Sequence, residues 1–152
     1  SSKEKTKTTS TTNKLKNKYG ELLGVDEKKI DNNTLYAFID EWYGAPYKYG
    51  GKTKQGIDCS AFVIQLYQSV YSSGLQGTAE SICNQSKQIS KDQLIEGDLV
   101  FFKIESDKVS HIGVYLQNNK FVHASTKKGI HIDDLDEPYY KKYFYKGGRI
   151  KK

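Results

Sequence analysis

The hydrophobic pattern of this chain changes its period once, near Glu96, and that change limits the folds it can adopt. Before Glu96, apolar residues recur at the spacing of amphipathic helices. After it, short runs rich in β-branched and aromatic residues alternate with turn residues, as in antiparallel strands. Helices followed by a meander of strands predict an α+β domain, in which N-terminal helices pack on a central antiparallel sheet of about five or six strands.

Three helices are predicted in the first part of the chain, each with a polar residue that can cap its N-terminus. The first has Thr34 as its cap and ends at Gly44, and its apolar residues fall at i, i+3, i+4 and i+7. The second starts at or next to Cys59, with Asp58 as its N-cap. A shorter third helix, which runs as far as Ile89, has Thr78 as its cap. Five strands are predicted after Glu96, over residues 98–104, 110–117, 120–125, 129–132 and 146–151.

Residues 1–18 differ in composition from the rest of the chain. They hold six Lys, one Glu and a single apolar residue, Leu15, and therefore predict a flexible linker that precedes a single domain over residues 19–152. The remaining residues hold 18 Lys and Arg against 17 acidic residues, so the basic charge belongs to the linker and gives no reason to expect nucleic-acid binding. No run of apolar residues is long enough to span a membrane.

Cys59 lies at a position that suits a nucleophile. A thiol at a helix N-terminus is next to unpaired backbone N–H groups and the positive end of the helix dipole, which both favour the thiolate. The same N–H groups can stabilise an oxyanion after attack on a carbonyl carbon. The alternative is that Cys59 is a small buried hydrophobic residue, which is the usual role of a cysteine at the start of an apolar helix.

The loop between the second and third predicted strands decides whether two histidines meet. A two-residue loop at Asn118–Asn119 would put His111 and His123 on opposite faces of the sheet. A three-residue loop, or a bulge, pairs Gly113 with His123 and brings His111 within side-chain reach as its diagonal neighbour. We predict this second register, because Gly113 has no side chain and leaves room for the pair.

In that register the chain holds a Cys–His system with a third, orienting group. Cys59 attacks, His111 takes the thiol proton and later donates it to the leaving amine, and His123 orients His111 by a hydrogen bond. His131 is followed by acidic residues and is predicted to lie on the surface. Three alternatives remain: ordinary packed or surface histidines, a zinc site formed by Cys59 and the two histidines, and a disulfide between Cys59 and Cys83.

Five segments in order show that the chain resembles the NlpC family of papain-like cysteine peptidases, which cleave peptide stems of bacterial peptidoglycan. The resemblance covers residues 36–150 and is carried by Pro46-Tyr47-x-x-Gly50-Gly51, Gly56-Ile57-Asp58-Cys59-Ser60-x-Phe62-Val63, Gly97-Asp98-Leu99-Val100-x-Phe102, His111-Ile112-Gly113-Val114-Tyr115 and Phe121-Val122-His123-Ala124-Ser125. The segments at 118–126 and 137–139 are most similar to the Spr-type outer-membrane lipoprotein branch of that family.

The resemblance implies a papain-like NlpC fold and a set of site residues. It implies Cys59 as nucleophile, His111 as base and His123 as third polar residue, without a metal or cofactor. It adds Tyr47, whose hydroxyl would lie near the nucleophile and help the oxyanion site. The remaining residues expected at the oxyanion and substrate site are Ser60 and Asp58.

The resemblance also implies a substrate and a location. The expected activity is that of a hydrolase, a thiol protease cutting a stem-peptide amide next to diaminopimelate, either γ-D-Glu–diaminopimelate or the D-Ala–diaminopimelate cross-link. Alternatives are a catalytically silent cell-wall binding module and a papain-like amidase or acyltransferase. We expect a monomer in the bacterial cell envelope, either secreted or anchored to the outer membrane by a lipidated Cys directly before Ser1.

Overall fold

The fold is described here from a computed structural model, which describes the backbone of residues 2–151 and the side chains of residues 10–151. The helices are α1 (Ser2–Leu23), α2 (Asn33–Trp42), α3 (Cys59–Tyr71), α4 (Ala79–Gln85) and α5 (Pro138–Tyr143). The strands are β1 (Lys52–Thr53), β2 (Gly56–Ile57), β3 (Lys87–Ile89), β4 (Leu99–Phe102), β5 (His111–Tyr115), β6 (Lys120–Ser125), β7 (Gly129–Asp134) and β8 (Phe144–Arg149). Single turns of 3₁₀ helix cover Glu27–Lys29 and Lys91–Gln93.

Six of the strands form one sheet in the order β3-β8-β4-β5-β6-β7, with every neighbouring pair antiparallel. The first four helices bury their apolar residues against one face, in a core that includes Ile112 and Val114 of β5. A smaller cluster on the other face joins Phe102, Phe121 and Tyr140. The predicted α+β domain with helices on an antiparallel sheet is therefore confirmed, and the number of strands lies within the predicted range.

Two of the three predicted helix caps are confirmed. The side chains of Asp58 and Thr78 accept hydrogen bonds from backbone N–H groups in the first turns of α3 and α4. The cap of α2 is Asn32 instead of Thr34, because the Asn32 side chain accepts from the backbone N–H of Leu35 at 3.0 Å. The third helix was predicted too long, since α4 ends at Gln85 and Ile89 lies in strand β3.

Residues 1–18 were predicted to form a flexible linker. In the structure a helix, α1, runs from Ser2 to Leu23 instead. Leu15 packs against the core, and Tyr19 and Leu23 follow at intervals of four residues and are fully buried. This spacing places all three on one face of a helix. Asp40 of α2 then accepts hydrogen bonds from the Tyr19 hydroxyl at 2.9 Å and from Lys18 Nζ at 2.6 Å. The linker prediction missed this apolar helix face because only one of its three residues, Leu15, lies within residues 1–18.

The register between β5 and β6 is the one predicted. Val114 pairs with Val122 and Tyr115 pairs with Phe121, which leaves a three-residue loop over 117–119. Two consecutive residues of this loop, Asn118 and Asn119, have φ values of 51° and 65°. Asparagine tolerates this left-handed region better than most residues. The same register sets Gly113 opposite His123.

We expect Gly113→Ala to lower the free energy of unfolding by about 1–3 kcal/mol, the usual cost of overpacking. A Cβ atom at Gly113 would lie 2.9 Å from Phe121 Cδ2 and 3.0 Å from the Val122 carbonyl oxygen, so β6 would have to move. Urea denaturation measures the change. Gly74→Ala is the matched control, because a Cβ atom there meets nothing within 4 Å. Equal stability of the two variants would contradict the close approach of β6 to Gly113.

Among the residues that the structure describes, no helix combines the length and the apolar character needed to cross a membrane.

Candidate active site

Cys59 is the first residue of α3, and its position is set by the loop before it. One carboxylate oxygen of Asp58 accepts from the backbone N–H of Ala61 at 2.9 Å, and the other accepts from Gly50 at 3.0 Å. Backbone N–H groups of Ile112, Ser60 and Cys59 itself lie close enough to the sulfur to lower the pKa of the thiol. Because Ile112 directly follows His111, this contact brings the thiol to the start of β5.

His111 and His123 form a buried pair, as the predicted register requires. His111 Nε2 and His123 Nδ1 are 2.8 Å apart. The His123 ring packs between Phe121 and Tyr140, with ring centroids 4.5 and 5.2 Å away, and the His111 ring contacts Phe102 at 5.7 Å. These aromatic contacts restrict the rotation of both imidazoles, so the hydrogen bond between them has a defined geometry.

The structure adds Asp133, one of the acidic residues that follow His131 in the sequence. The second nitrogen of His123, Nε2, lies 2.7 Å from Oδ2 of Asp133. The Asp133 side chain is only 2% exposed and also accepts from Lys128 Nζ at 3.1 Å through its other oxygen, Oδ1. Asp133 belongs to β7, which extends two residues beyond the predicted end at 132. His111, His123 and Asp133 therefore form a continuous buried series of polar side chains.

His131 was predicted to lie on the surface, and in the structure it is partly exposed. It pairs with His123 across β6 and β7, its side chain is 33% exposed, and its Nδ1 atom lies 3.4 Å from Asp133 Oδ1 without making a hydrogen bond. The acidic residues after His131 suggested an exposed turn, but β7 continues through them.

Two alternatives for Cys59 lose their support. Both Cys59 and Cys83 are buried free thiols, so the structure has no disulfide between them. A zinc ion bound by Cys59 and both histidines would need ring nitrogens of His111 and His123 as ligands. The two nitrogens that face each other are already joined by the 2.8 Å contact. Within the described part of the chain, no group of three His, Cys, Asp or Glu side chains is arranged to hold a metal ion.

A cleft of about 270 Å³ opens on the histidine side of the site. Tyr47 lines this cleft together with His111 and His123, whereas Cys59 does not and is 9% exposed. The segment of Tyr47 runs beside Ile57, since the backbone N–H of Lys48 donates to the Ile57 carbonyl at 3.2 Å. Burial and the nearby Cys59 and Asp58 raise the pKa of Tyr47, so its hydroxyl stays protonated and can donate a hydrogen bond.

Ser60 and Asp58 face a different cleft from Tyr47. This second cleft has a volume of about 280 Å³ and is also lined by Gly50, Lys52 and Gln65. The Ser60 hydroxyl donates to Asp58 at 3.4 Å. Of the six residues predicted for the site, Tyr47 and the two histidines thus line one cleft, Asp58 and Ser60 line the other, and Cys59 lines neither.

The sequence predicted that the helix N-terminus lowers the pKa of Cys59 and so favours the thiolate. In the structure, burial of the thiol opposes this effect. Burial, and then the negative charge of Asp58, raise the pKa of Cys59 to about 11. The backbone N–H groups that reach the sulfur lower the pKa, as expected, but by less than burial raises it. The free protein therefore holds Cys59 as a thiol at neutral pH.

Burial also keeps both histidines neutral. It lowers the pKa of His111 well below its usual value, and the neighbouring His123 lowers it further. Burial lowers the pKa of His123 as well, although Asp133 opposes that effect. At neutral pH the site thus contains a thiol and two uncharged imidazoles, and the His111 ring is free to accept a proton.

We expect alkylation of Cys59 by iodoacetamide to increase about tenfold per pH unit between pH 7 and 9, because only the thiolate reacts. A pKa of about 11 means that the thiolate fraction is still rising throughout this range. The measurement uses a Cys83→Ala background, so that Cys59 is the only thiol. A rate that reaches its plateau below pH 8 would show instead that the thiolate is already formed beside a charged His111.

Comparison with known proteins finds relatives of one family. The model of the NlpC/P60 family matches residues 44–149. The protein named Probable endopeptidase NlpC of Escherichia coli (strain K12) is 42% identical over 113 residues, which are 74% of this chain and 73% of that protein. Murein DD-endopeptidase MepS/Murein LD-carboxypeptidase of the same strain is 39% identical over 110 residues, 72% of this chain and 58% of that protein.

The same fold is found among solved structures. The crystal structure of a lipoprotein-like NLP/P60-family protein from Staphylococcus aureus subsp. aureus Mu50 superposes with a TM-score of 0.70 at 25% identity. The match covers 82% of this chain and 42% of that chain. The present chain therefore corresponds to one part of that longer protein.

Proposed function

This chain belongs to the NlpC/P60 family, and from that premise we propose that it is a cysteine endopeptidase that hydrolyses the peptide stems of peptidoglycan. The observation that carries the proposal is a thiol at a helix N-terminus, next in space to the start of β5, where a buried His111–His123 pair lies. Nucleophile, base and orienting group are the three parts that a thiol protease needs.

In the proposed reaction, the Cys59 sulfur forms a bond to the carbonyl carbon of the substrate amide. The thiol proton passes to His111, which becomes an imidazolium held by His123. The imidazolium donates that proton to the leaving amine as the C–N bond breaks, which leaves a thioester on Cys59. His111 then takes a proton from water, whose oxygen attacks the thioester. The C–S bond breaks, the carboxylic acid is released, and His111 returns the proton to the Cys59 sulfur.

Two donors are available for the oxyanion that forms during attack. One is the backbone N–H at the start of α3, where the helix dipole also favours negative charge. The other is the hydroxyl of Tyr47, which stays protonated because burial raises its pKa. Tyr47 lines the same cleft as the two histidines, so its hydroxyl is available to a substrate carbonyl bound there.

The substrate that we propose is an amide next to diaminopimelate, in the D-Ala–diaminopimelate cross-link or in γ-D-Glu–diaminopimelate. We favour the cross-link because the relative MepS is named a murein DD-endopeptidase. Either amide lies next to a free carboxylate of diaminopimelate, which needs a cation. Lys52 can provide it, because it lines the second cleft together with Asp58 and Ser60. Lys54 suits this task less well, because its Nζ atom is bound to Glu41 at 2.6 Å.

The experiment that tests the proposal is digestion of purified, cross-linked muropeptides, with products identified by mass spectrometry. Conversion of cross-linked dimers to monomers would support cleavage of the D-Ala–diaminopimelate bond. Stems shortened between Glu and diaminopimelate would support the other bond. Absence of any product, with binding to intact sacculi retained, would favour the catalytically silent binding module instead, and transfer of the acyl group to an added amine would favour an acyltransferase.

We further propose a location in the cell envelope and a monomeric state. The location follows from the substrate, since peptidoglycan lies outside the cytoplasmic membrane. A lipidated Cys directly before Ser1 is the finer proposal, and another residue at that place in the precursor would overturn it. Light scattering across a range of concentrations tests the monomeric state.

A further inference from the structure

Asp133 ends the buried series of polar side chains that begins at His111, and no other residue with a fixed negative charge belongs to that series. We propose that Asp133 is a positioning residue that sets the tautomers of both histidines through two hydrogen bonds in series. As a result, Nδ1 of His111 carries no hydrogen and is free to take the thiol proton. The inference rests on the proposed function only in naming the reaction that this tautomer serves.

The two tautomers follow from what each group can donate. A carboxylate only accepts hydrogen bonds, so the 2.7 Å contact with Asp133 requires a hydrogen on His123 Nε2. In a neutral imidazole the other nitrogen is then an acceptor, so His123 Nδ1 accepts from His111 Nε2 across 2.8 Å. His111 is neutral too, and its Nδ1 atom is therefore the acceptor that is left for Cys59.

The surroundings of Asp133 hold the carboxylate ionised and aligned. Burial alone would raise the pKa of Asp133, but the hydrogen bonds with His123 and Lys128 hold it well below its usual range. Oδ1 accepts from Lys128 Nζ at 3.1 Å and lies 3.4 Å from His131 Nδ1. Oδ2 faces His123, with the Tyr140 hydroxyl donating to it from 3.4 Å. The two oxygens thus have separate partners.

This separation makes Asp133→Asn an informative change. An amide has one accepting oxygen and one donating NH₂ group, and the Lys128 ammonium can only donate. The oxygen is therefore expected to face Lys128, which turns the NH₂ group towards His123 Nε2. His123 must then carry its hydrogen on Nδ1, and His111 must in turn carry its hydrogen on Nδ1, the atom that should receive the thiol proton.

We expect Asp133→Asn to lower kcat by about 10³-fold with little change in KM, since a wrong tautomer removes the base without altering substrate contacts. Asp134→Asn is the matched control, because Asp134 is the next residue of β7 and binds Asn119 and Lys120 instead of a histidine. The double variant Asp133→Asn/Lys128→Ala should recover at least about tenfold, because the amide is then free to turn its oxygen to His123. Failure of the double variant to recover would overturn the tautomer argument.

The direct readout is long-range ¹H–¹⁵N NMR of the histidine rings, which distinguishes the two tautomers without any substrate. We expect the wild-type protein to carry hydrogen on Nε2 of both His111 and His123, and Asp133→Asn to move it to Nδ1 of both. Hydrogen on Nδ1 of His111 in the wild-type protein would overturn the proposal even if the variant failed to fold. The two proposals can fail separately. If Asp133→Asn switches the tautomers but the wild-type protein cleaves no muropeptide, the proposed function is refuted and the role of Asp133 is retained.

Discussion

Cys59→Ala is expected to remove muropeptide cleavage, with a fall in kcat of about 10⁶-fold, the loss seen when the nucleophile is taken from catalytic residues that act as a unit. The sulfur is the only side-chain atom removed, so the fold should be unaffected. The His111–His123 pair and Asp133 remain in the variant, and none of them can form the covalent bond to the carbonyl carbon. Product formation is followed by chromatography of a defined muropeptide dimer, and folding by circular dichroism.

The chain provides a matched control for this variant in its only other cysteine. Cys83 is also a buried free thiol, but it lies in α4 and packs in the hydrophobic core. Cys83→Ala should therefore keep the wild-type kcat. Cys59→Ser should be nearly as inactive as Cys59→Ala, because His111 would have to deprotonate a much weaker acid. Cleavage that persists in Cys59→Ala would exclude Cys59 as the nucleophile.

The meeting of the two histidines is the part of the site that the sequence predicts best. A strand has a period of two, so a change of one residue in the β5–β6 register would send His111 and His123 to opposite faces. The lack of a side chain at Gly113 favours the register that the structure has, and the alternation of β5 separates Ile112 and Val114, which pack in the helix-side core, from His111 on the other face. Local rules of pairing therefore suffice, because both histidines lie on neighbouring strands of one hairpin.

Asp133 could not be assigned in the same way. Its contact with His123 depends on how far β7 extends and on which neighbouring residues cover it, and Tyr140 of α5 supplies part of that cover. In the sequence, Asp133 stands among charged residues that are typical of a turn. Its burial results from tertiary packing, on which local periodicity carries no information.

The pKa of Cys59 likewise depends on tertiary packing that the local sequence does not predict. The helix N-terminus and its N–H groups are visible in the sequence, and their effect on the thiol has the predicted sign. Burial acts in the opposite direction and is larger, and it depends on the sheet and loops that pack around α3. The sequence therefore predicts one contribution to the pKa correctly without predicting the resulting protonation state.

The second large fall in kcat is expected when the histidines are substituted. The relative size of the loss in His111→Ala and His123→Ala tests their separate roles. We expect kcat to fall about 10⁴-fold in His111→Ala and about 10²-fold in His123→Ala, because proton transfer contributes more than orientation. Both side chains are buried, and His123→Ala also removes the partner that lies 2.7 Å from Asp133 Oδ2. Urea denaturation of each variant is therefore needed, so that activity is compared where both are folded. A larger loss in His123→Ala would exchange the two roles.

Substitution by asparagine separates orientation from proton transfer more sharply than alanine does. The amide oxygen of Asn in His123→Asn can accept from His111 Nε2, so this variant should retain at least about ten times the kcat of His123→Ala. No such recovery is expected in His111→Asn, since an amide cannot take the thiol proton. Recovery at position 123 but not at 111 is the result that a base held by an orienting partner requires. Equal kcat values for His123→Asn and His123→Ala would mean that His123 acts through packing or charge instead of through its hydrogen bond.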